Sequence, residues 1–169
     1  SEYAEFHYGD EYFGVPNFSR TVAELAIAAM AGRPAHKALD LGCATGRASF
    51  ELARHFDKVT GLDFSARFIG VGVQLATQGS LRYTLVDEGE LVSYRERRLS
   101  ELGLEAVRDR VDFVQGDACN LKAIHAGYDL VLAANLIDRL HSPRKLLESI
   151  YTRIRPGGLL VITSPYTWL

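Results

Sequence analysis

A chain of 169 residues with 47% apolar and 24% charged side chains has the make-up of one globular domain with a sizeable core, which excludes disorder, collagen and coiled coil. Its 19 basic and 21 acidic residues leave a formal charge of −2, so no global positive field recruits nucleic acid or anionic lipid. Cys43 and Cys119 lie far apart without a CxxC or CxxH pattern, against a disulfide scaffold or a structural zinc and in favour of a reducing setting. No apolar run approaches the roughly 18 to 20 residues that span a bilayer, and no signal-peptide pattern opens the chain. A cytoplasmic protein with no membrane and no nucleic-acid partner is expected.

Residues 1–18 are dense in Tyr and Phe interleaved with acids, with no clear helix or strand period. Thr21 and Glu24 resemble a capping box, and Val22, Leu25, Ala26, Ala29 and Met30 form a helical stripe that Gly32 and Pro34 end. From Ala38 short apolar runs alternate with helices: a strand over 38–41, a helix to about Phe56, a strand over 59–62 and a helix from Ser65. Residues 79–110 exceed what a βα connection needs, so an inserted element is expected there. Asp87 and Glu90 are placed to cap a helix in it carrying Leu91, Leu99 and Leu102 on one side. Runs at 111–115, 128–133 and 159–163 read as further strands, the last two without alternation, as strands covered on both faces do. Ser142 and Pro143 open a helix turning Leu146, Leu147, Ile150 and Ile154 inward, and Pro156-Gly157-Gly158 turns the chain into the last strand. The pattern predicts an α/β fold, a doubly wound, mostly parallel sheet of five core strands. It forms a single domain over 1–169, divided into an aromatic cover and helix (1–35), a core (36–165) and an insertion (79–110).

The densest signal is LDLGCATGR, residues 39–47, where a strand turns into a helix. Open α/β sheets bind ligands outside the carboxyl ends of their strands, at the point where strand order reverses. The spacing Gly42-x-x-x-Gly46 places Ala44 where a dinucleotide fingerprint needs its second glycine, and no P-loop pattern exists, so pyrophosphate is disfavoured. Asp63 follows Gly42 by 21 residues, the separation at which a carboxylate reaches ribose hydroxyls. Asp117 ends the third strand and suits an adenine amino group. Together with Asp40, these acids repel polyphosphate and suit a cationic ligand carrying ribose and adenine.

The ordered set DLGCATGR, VTGLD, VQGDA, YDLVLAANLIDRL and LLESIYTRIRPGGLLVITSP resembles class I S-adenosylmethionine-dependent methyltransferases over residues 36–165. FHYGDEYFGVPNF, the cysteine in the glycine loop, and LVDEGELVSYRERRLSELGL are more similar still to the methyltransferase domain at the carboxyl end of ovothiol synthase. The resemblance implies a Rossmann-like sheet with strand order 3-2-1-4-5 and S-adenosyl-L-methionine as cofactor. It also implies a small-molecule acceptor, 4-mercaptohistidine, and an amino-terminal iron-dependent sulfoxide synthase domain in the same chain. It assigns cofactor binding to Asp40, Gly42, Cys43, Ala44, Gly46, Asp63, Phe64, Asp117, Ala118 and Asn135, with Arg47 paired either to the cofactor carboxylate or to a surface acid.

Methyl transfer from a sulfonium is an in-line displacement that requires alignment in a dry site and no metal. Asp138, His141 and Tyr12, with His7 and Tyr8, are the candidate proton acceptors or orienting groups. The aromatic entry segment either folds over the cofactor or simply covers a helix. The family fold ordinarily continues beyond the fifth strand with a helix and an antiparallel hairpin, so this chain reads as a fragment whose last edge and Trp168 lack a cover.

Overall fold

The computed structural model describes residues 2–88 and 91–167. The described elements are α1 (Glu2–Tyr8), α2 (Phe18–Ala29), β1 (Lys37–Leu41), α3 (Arg47–Leu52), β2 (Lys58–Asp63), α4 (Ala66–Gln78), β3 (Ser80–Glu88), β4 (Leu91–Arg98), β5 (Val111–Gln115), β6 (Tyr128–Ala134), α5 (Pro143–Ser149) and β7 (Ile154–Thr163). Five strands form one parallel sheet in the order β5-β2-β1-β6-β7, while β3 and β4 pair as a separate antiparallel hairpin. Counting only the strands of the large sheet gives the expected 3-2-1-4-5; the hairpin shifts the labels.

Alternation along each strand divides the core in two. Ala38, Val59, Leu130 and Leu132 face α2, α3 and α4, whereas Leu39, Leu41, Leu62, Val131 and Ala133 face Leu146 and Ile150 on the other side. The strand order reverses between β2-β1 and β6, which opens a crevice above the carboxyl ends of β1 and β6.

Several local expectations are corrected. Residues 2–8 are helical: Ala4, His7 and Tyr8 are buried at helical spacing, and exposed Tyr3 and Phe6 mask the period in sequence. Asn17, not Thr21, caps α2; its side chain accepts from the Arg20 N–H at 3.0 Å, and Thr21 Oγ1 donates to the Asn17 carbonyl. The buried stripe of α2 is Val22, Ala23, Ala26 and Met30, with Leu25 exposed. α3 ends at Leu52, short of the expected Phe56.

The insertion is a hairpin, not a helix. Leu81, Tyr83 and Leu85 alternate with more exposed Arg82, Thr84 and Val86, a period of two that outweighs the helical spacing of Leu91, Leu99 and Leu102. Leu99 is buried in a short 3₁₀ turn beyond the hairpin, and Leu91 is exposed. The capping role assigned to Glu90 and the Asp87 side chain lies outside the described residues, as does Trp168.

β7 is an edge strand only half covered, because nothing described pairs beyond it, and Pro156-Gly157-Gly158 forms a bulge inside it where the pairing shifts from Tyr128↔Ile154 to Leu130↔Leu159. Ser142 and Pro143 start α5 as expected; Leu147, however, faces solvent, and Ile154 belongs to β7.

Candidate functional site

The glycine loop between β1 and α3 is fastened to the end of β2. The Gly42 and Cys43 N–H groups both donate to the Leu62 carbonyl, at 2.8 and 3.1 Å. Gly42 has φ +70°, and a Cβ there would lie 2.8 Å from Leu136 Cδ1, so only glycine fits. Ala44 also has positive φ, held by its N–H donating to Asp63 Oδ2 at 2.9 Å. The other carboxylate oxygen, Oδ1, accepts from the Ser65 N–H at 2.8 Å, and Ser65 caps α4. Each Asp63 oxygen is thus fixed by one backbone donor and keeps a second lone pair.

Above this loop lies a cavity of about 660 Å³ whose wall includes Asp40, Gly42, Cys43, Ala44, Asp63, Phe64, Asp117, Ala118, Asn135 and His141 from the expected set. Asp40 is buried and accepts from Ser49 Oγ at 2.6 Å; burial raises its carboxyl to about 6, and the neighbouring Asp63 adds to this. Asp117 Oδ1 accepts from the Cys119 N–H at 2.8 Å in a tight turn after β5. Asn135, at positive φ, follows β6 and is tied to β7 by Thr163, whose carbonyl accepts its N–H at 2.9 Å. Burial pushes the Cys43 thiol well above its ordinary value, so it stays protonated.

The structure moves other candidates away from the cavity. Gly46 serves packing: at φ +92° its missing Cβ would sit 2.4 Å from Phe113 Cζ, and the Phe113 ring fills a socket that Gly61 and Gly72 also leave open. Arg47 is buried on Glu51 Oε1 at 2.8 Å and donates to the His7 carbonyl at 3.0 Å, so its guanidinium faces neither a cofactor carboxylate nor a surface acid. Tyr8 is buried and donates to the Thr45 carbonyl at 2.7 Å. Tyr12 is exposed and donates to Glu5. Asp138 is buried behind the wall, where Thr167 Oγ1 donates to it at 3.1 Å.

On the opposite wall the structure brings in His7 and the aromatic entry segment, as one of the two expected readings had it, together with Phe18, Ser19, Val22 and Phe68, which sequence reasoning missed. Tyr3, Phe6 and His7 of α1, Phe18, Ser19 and Val22 of α2, and Phe68 of α4 face the same cavity, with the Tyr3 ring packed on Phe68 at a centroid distance of 4.6 Å and tilted by 47°. The clustering of aromatics in 1–18 was the available signal. Burial, and secondarily Arg47, lowers His7 to about 4, leaving a neutral ring whose Nδ1 accepts from the Arg47 N–H at 3.4 Å and whose proton sits on Nε2. α1 is held over the cavity by the inserted hairpin: the Tyr83 hydroxyl meets the Glu5 carboxylate, and Arg97 meets Asp10 at 3.0 Å.

The wall is acidic and aromatic, with Arg139 its only Lys or Arg among the described residues. Its donor set and pinned Asp63 fit a cationic nucleoside with free ribose hydroxyls, and they disfavour a polyphosphate. Among the described residues no helix is long and apolar enough to cross a membrane.

The sequence matches the family described as a methyltransferase domain over residues 39–162. It is 29% identical over 143 residues to a demethylmenaquinone methyltransferase of Clavibacter sepedonicus, covering 85% of this chain and 45% of that protein. It is 25% identical over 147 residues to a ubiquinone biosynthesis O-methyltransferase of Psychrobacter cryohalolentis, covering 86% and 45% respectively. The chain therefore spans about half the length of these curated relatives. The fold is that of the S-adenosylmethionine-bound amino pentose methyltransferase CalS10 of Micromonospora echinaspora, with TM-score 0.61, 19% identity, and coverage of 90% of this chain and 52% of that one.

Proposed function

Because this chain belongs to the methyltransferase domain family, we propose that it methylates an imidazole nitrogen of 4-mercaptohistidine, the methylating step of ovothiol biosynthesis. S-adenosylmethionine supplies the methyl group as an electrophile on a sulfonium centre. Asp63 receives the ribose hydroxyls on its two free lone pairs, and Asp117 receives the adenine amino group. Gly42 to Ala44 offer a backbone-lined cradle for the methionyl part, and Tyr3, Phe6 and Phe64 present ring faces to positive charge, worth on the order of 0.5 to 2 kcal/mol each.

For the acceptor, a neutral imidazole already carries the attacking lone pair, so the protein has mainly to orient it while one proton departs. Of the five candidates, His7 and His141 reach the cavity. The Nδ1 of His7 is engaged, so this residue orients the acceptor by donating from Nε2. His141 lies within 4.8 Å of Asp117 and Cys119, at the end of the cavity assigned to adenine, so the departing proton passes to water rather than to this ring.

The observation that carries the finer reading is the meeting of the two less widespread segments. The aromatic entry and the insertion, which bear the resemblance to ovothiol synthase, lock together through Glu5–Tyr83 and Asp10–Arg97, so the insertion supports the α1 wall of the cavity. The same resemblance extends the proposal to an iron-dependent sulfoxide synthase domain as the fused partner that delivers the thiol-bearing histidine. The curated relatives favour a second reading, a quinone-like phenol as acceptor, which the aromatic wall also accommodates.

Incubating the chain with S-adenosylmethionine and either 4-mercaptohistidine or a demethylated quinone separates these readings. The first predicts a thiohistidine one methyl group heavier and equimolar S-adenosylhomocysteine, with the quinone unchanged. Methylation of the quinone alone would overturn it.

A further inference from the structure

We propose that Asp117, Cys119 and His141 form a site for a thiophilic divalent cation, Zn²⁺ or Cd²⁺, at the end of the cavity where adenine is placed, and that the cation and the cofactor exclude one another. The second half rests on the reading of Asp117 given above. The first half rests on geometry alone.

One ligand atom from each of the three side chains lies within 4.8 Å of the others. The two loops that carry them are already joined. The Cys119 N–H donates to Asp117 Oδ1 at 2.8 Å, and the Cys119 thiol donates to the Ser142 carbonyl, next to His141, at 3.4 Å. A carboxylate oxygen, a thiolate and an imidazole are a donor set that Zn²⁺ accepts, with bonds of about 2.0 to 2.3 Å. Tetrahedral coordination at those lengths puts donors roughly 3.5 Å apart, so the cluster must contract by about 1 Å. The exposed ring of His141, which forms no hydrogen bond with another described residue, can supply that movement by side-chain rotation.

On binding, the metal–sulfur bond replaces the S–H bond, and the thiol proton passes to the buffer. Asp117 and His141 line the cavity while Cys119 lies buried behind them, so the fourth position opens to the cavity rather than to protein. Such a site is not closed like a structural zinc site. It takes the carboxylate that the adenine amino group requires. By linkage, the cation weakens the cofactor by the same factor that the cofactor weakens the cation.

The test is titration of the metal-free chain with Zn²⁺ by calorimetry, and with Co²⁺ by absorption, each with and without S-adenosylhomocysteine. One ion per chain is expected, with a thiolate-to-cobalt band. Cys119→Ser should abolish that band and weaken Zn²⁺ at least tenfold while still binding S-adenosylhomocysteine. His141→Ala, at an exposed position, should also weaken Zn²⁺ at least tenfold and keeps the test open if Cys119→Ser misfolds. Failure of the folded wild-type chain to bind Zn²⁺, or equal binding by both variants, would overturn the site. Metal binding that responds to the variants but not to S-adenosylhomocysteine would overturn mutual exclusion and leave the site standing. Absence of S-adenosylhomocysteine binding itself would count against the cofactor reading, with the variants still deciding the site.

Discussion

Replacing Asp63 separates two jobs that the structure gives to one carboxylate. Its oxygens accept the Ala44 and Ser65 N–H groups at 2.9 and 2.8 Å, which hold the glycine loop and the start of α4. Its remaining lone pairs are assigned to the ribose. In Asp63→Ala both backbone donors lose a charged partner at a half-exposed position where water replaces it, so the cost to the free protein is about 1 to 2 kcal/mol. For a chain of this size that is roughly 2 to 8 °C in the unfolding midpoint. Loss of charge-assisted bonds to the ligand costs a further ~1.5 to 3 kcal/mol, which lowers affinity about 10- to 150-fold. Asp63→Asn keeps the shape and one acceptor oxygen and should fall between. Thermal melts measure the first effect, and calorimetric titration with S-adenosylhomocysteine measures the second. An Asp63→Ala chain that melts lower but binds within twofold of wild type would show the carboxylate to be only a fastening for the loop and would refute the assignment.

Three further perturbations follow from the packing and charge. Gly46→Ala places a methyl 2.4 Å from Phe113 Cζ at φ +92°, so urea unfolding should show a loss of roughly 2 to 5 kcal/mol, partly restored by Phe113→Leu; undiminished stability would contradict the socket. Glu51 balances buried Arg47 and half-exposed Arg54, each at 2.8 Å, and Glu51→Ala should cost about 3 to 5 kcal/mol by stranding the Arg47 guanidinium; a loss below about 1 kcal/mol would refute this. His7 and Asp40 give stability opposite dependences on pH. His7 falls from 6.5 to about 4 on folding, so its contribution is full above pH 6.5 and is lost as pH drops toward 4. Asp40 rises from 3.8 to about 6, so its contribution is full below 3.8 and is lost as pH rises through 6. His7→Gln removes only the first, so on acidification from pH 6.5 to 4.5 the variant should gain about 2 kcal/mol relative to wild type; parallel pH profiles would contradict the buried neutral imidazole.

The half of the site built on strand ends was legible in the chain. Glycines at a strand-to-helix turn and a carboxylate 21 residues on are dictated by local backbone geometry, and the structure brings Asp40, Gly42, Ala44, Asp63 and Asp117 to one cavity. What escaped depends on tertiary contact. Gly46 looks like a second ligand-facing glycine until Phe113, remote in sequence, is seen to occupy its missing side chain. Arg47 looks available until α1 supplies the His7 carbonyl and α3 supplies Glu51. Tyr12 and Asp138 sit near the right segments but do not line the cavity; their partners are Glu5 and Thr167, contacts that spacing in sequence does not reveal. The hairpin was obscured by leucines at helical intervals, although the alternation of Leu81, Tyr83 and Leu85 carried the period of a strand. The union of that hairpin with α1 joins residues 78 positions apart and has no local signature.

The central claim is that the cavity above the glycine loop takes a sulfonium nucleoside and not a dinucleotide. Calorimetric titration of the folded chain with S-adenosylmethionine, S-adenosylhomocysteine and NAD tests it most directly. One molecule of either sulfur compound should bind per chain, with no heat from NAD. Binding of NAD, or silence toward both sulfur compounds from a chain shown by circular dichroism to be folded, would contradict the account.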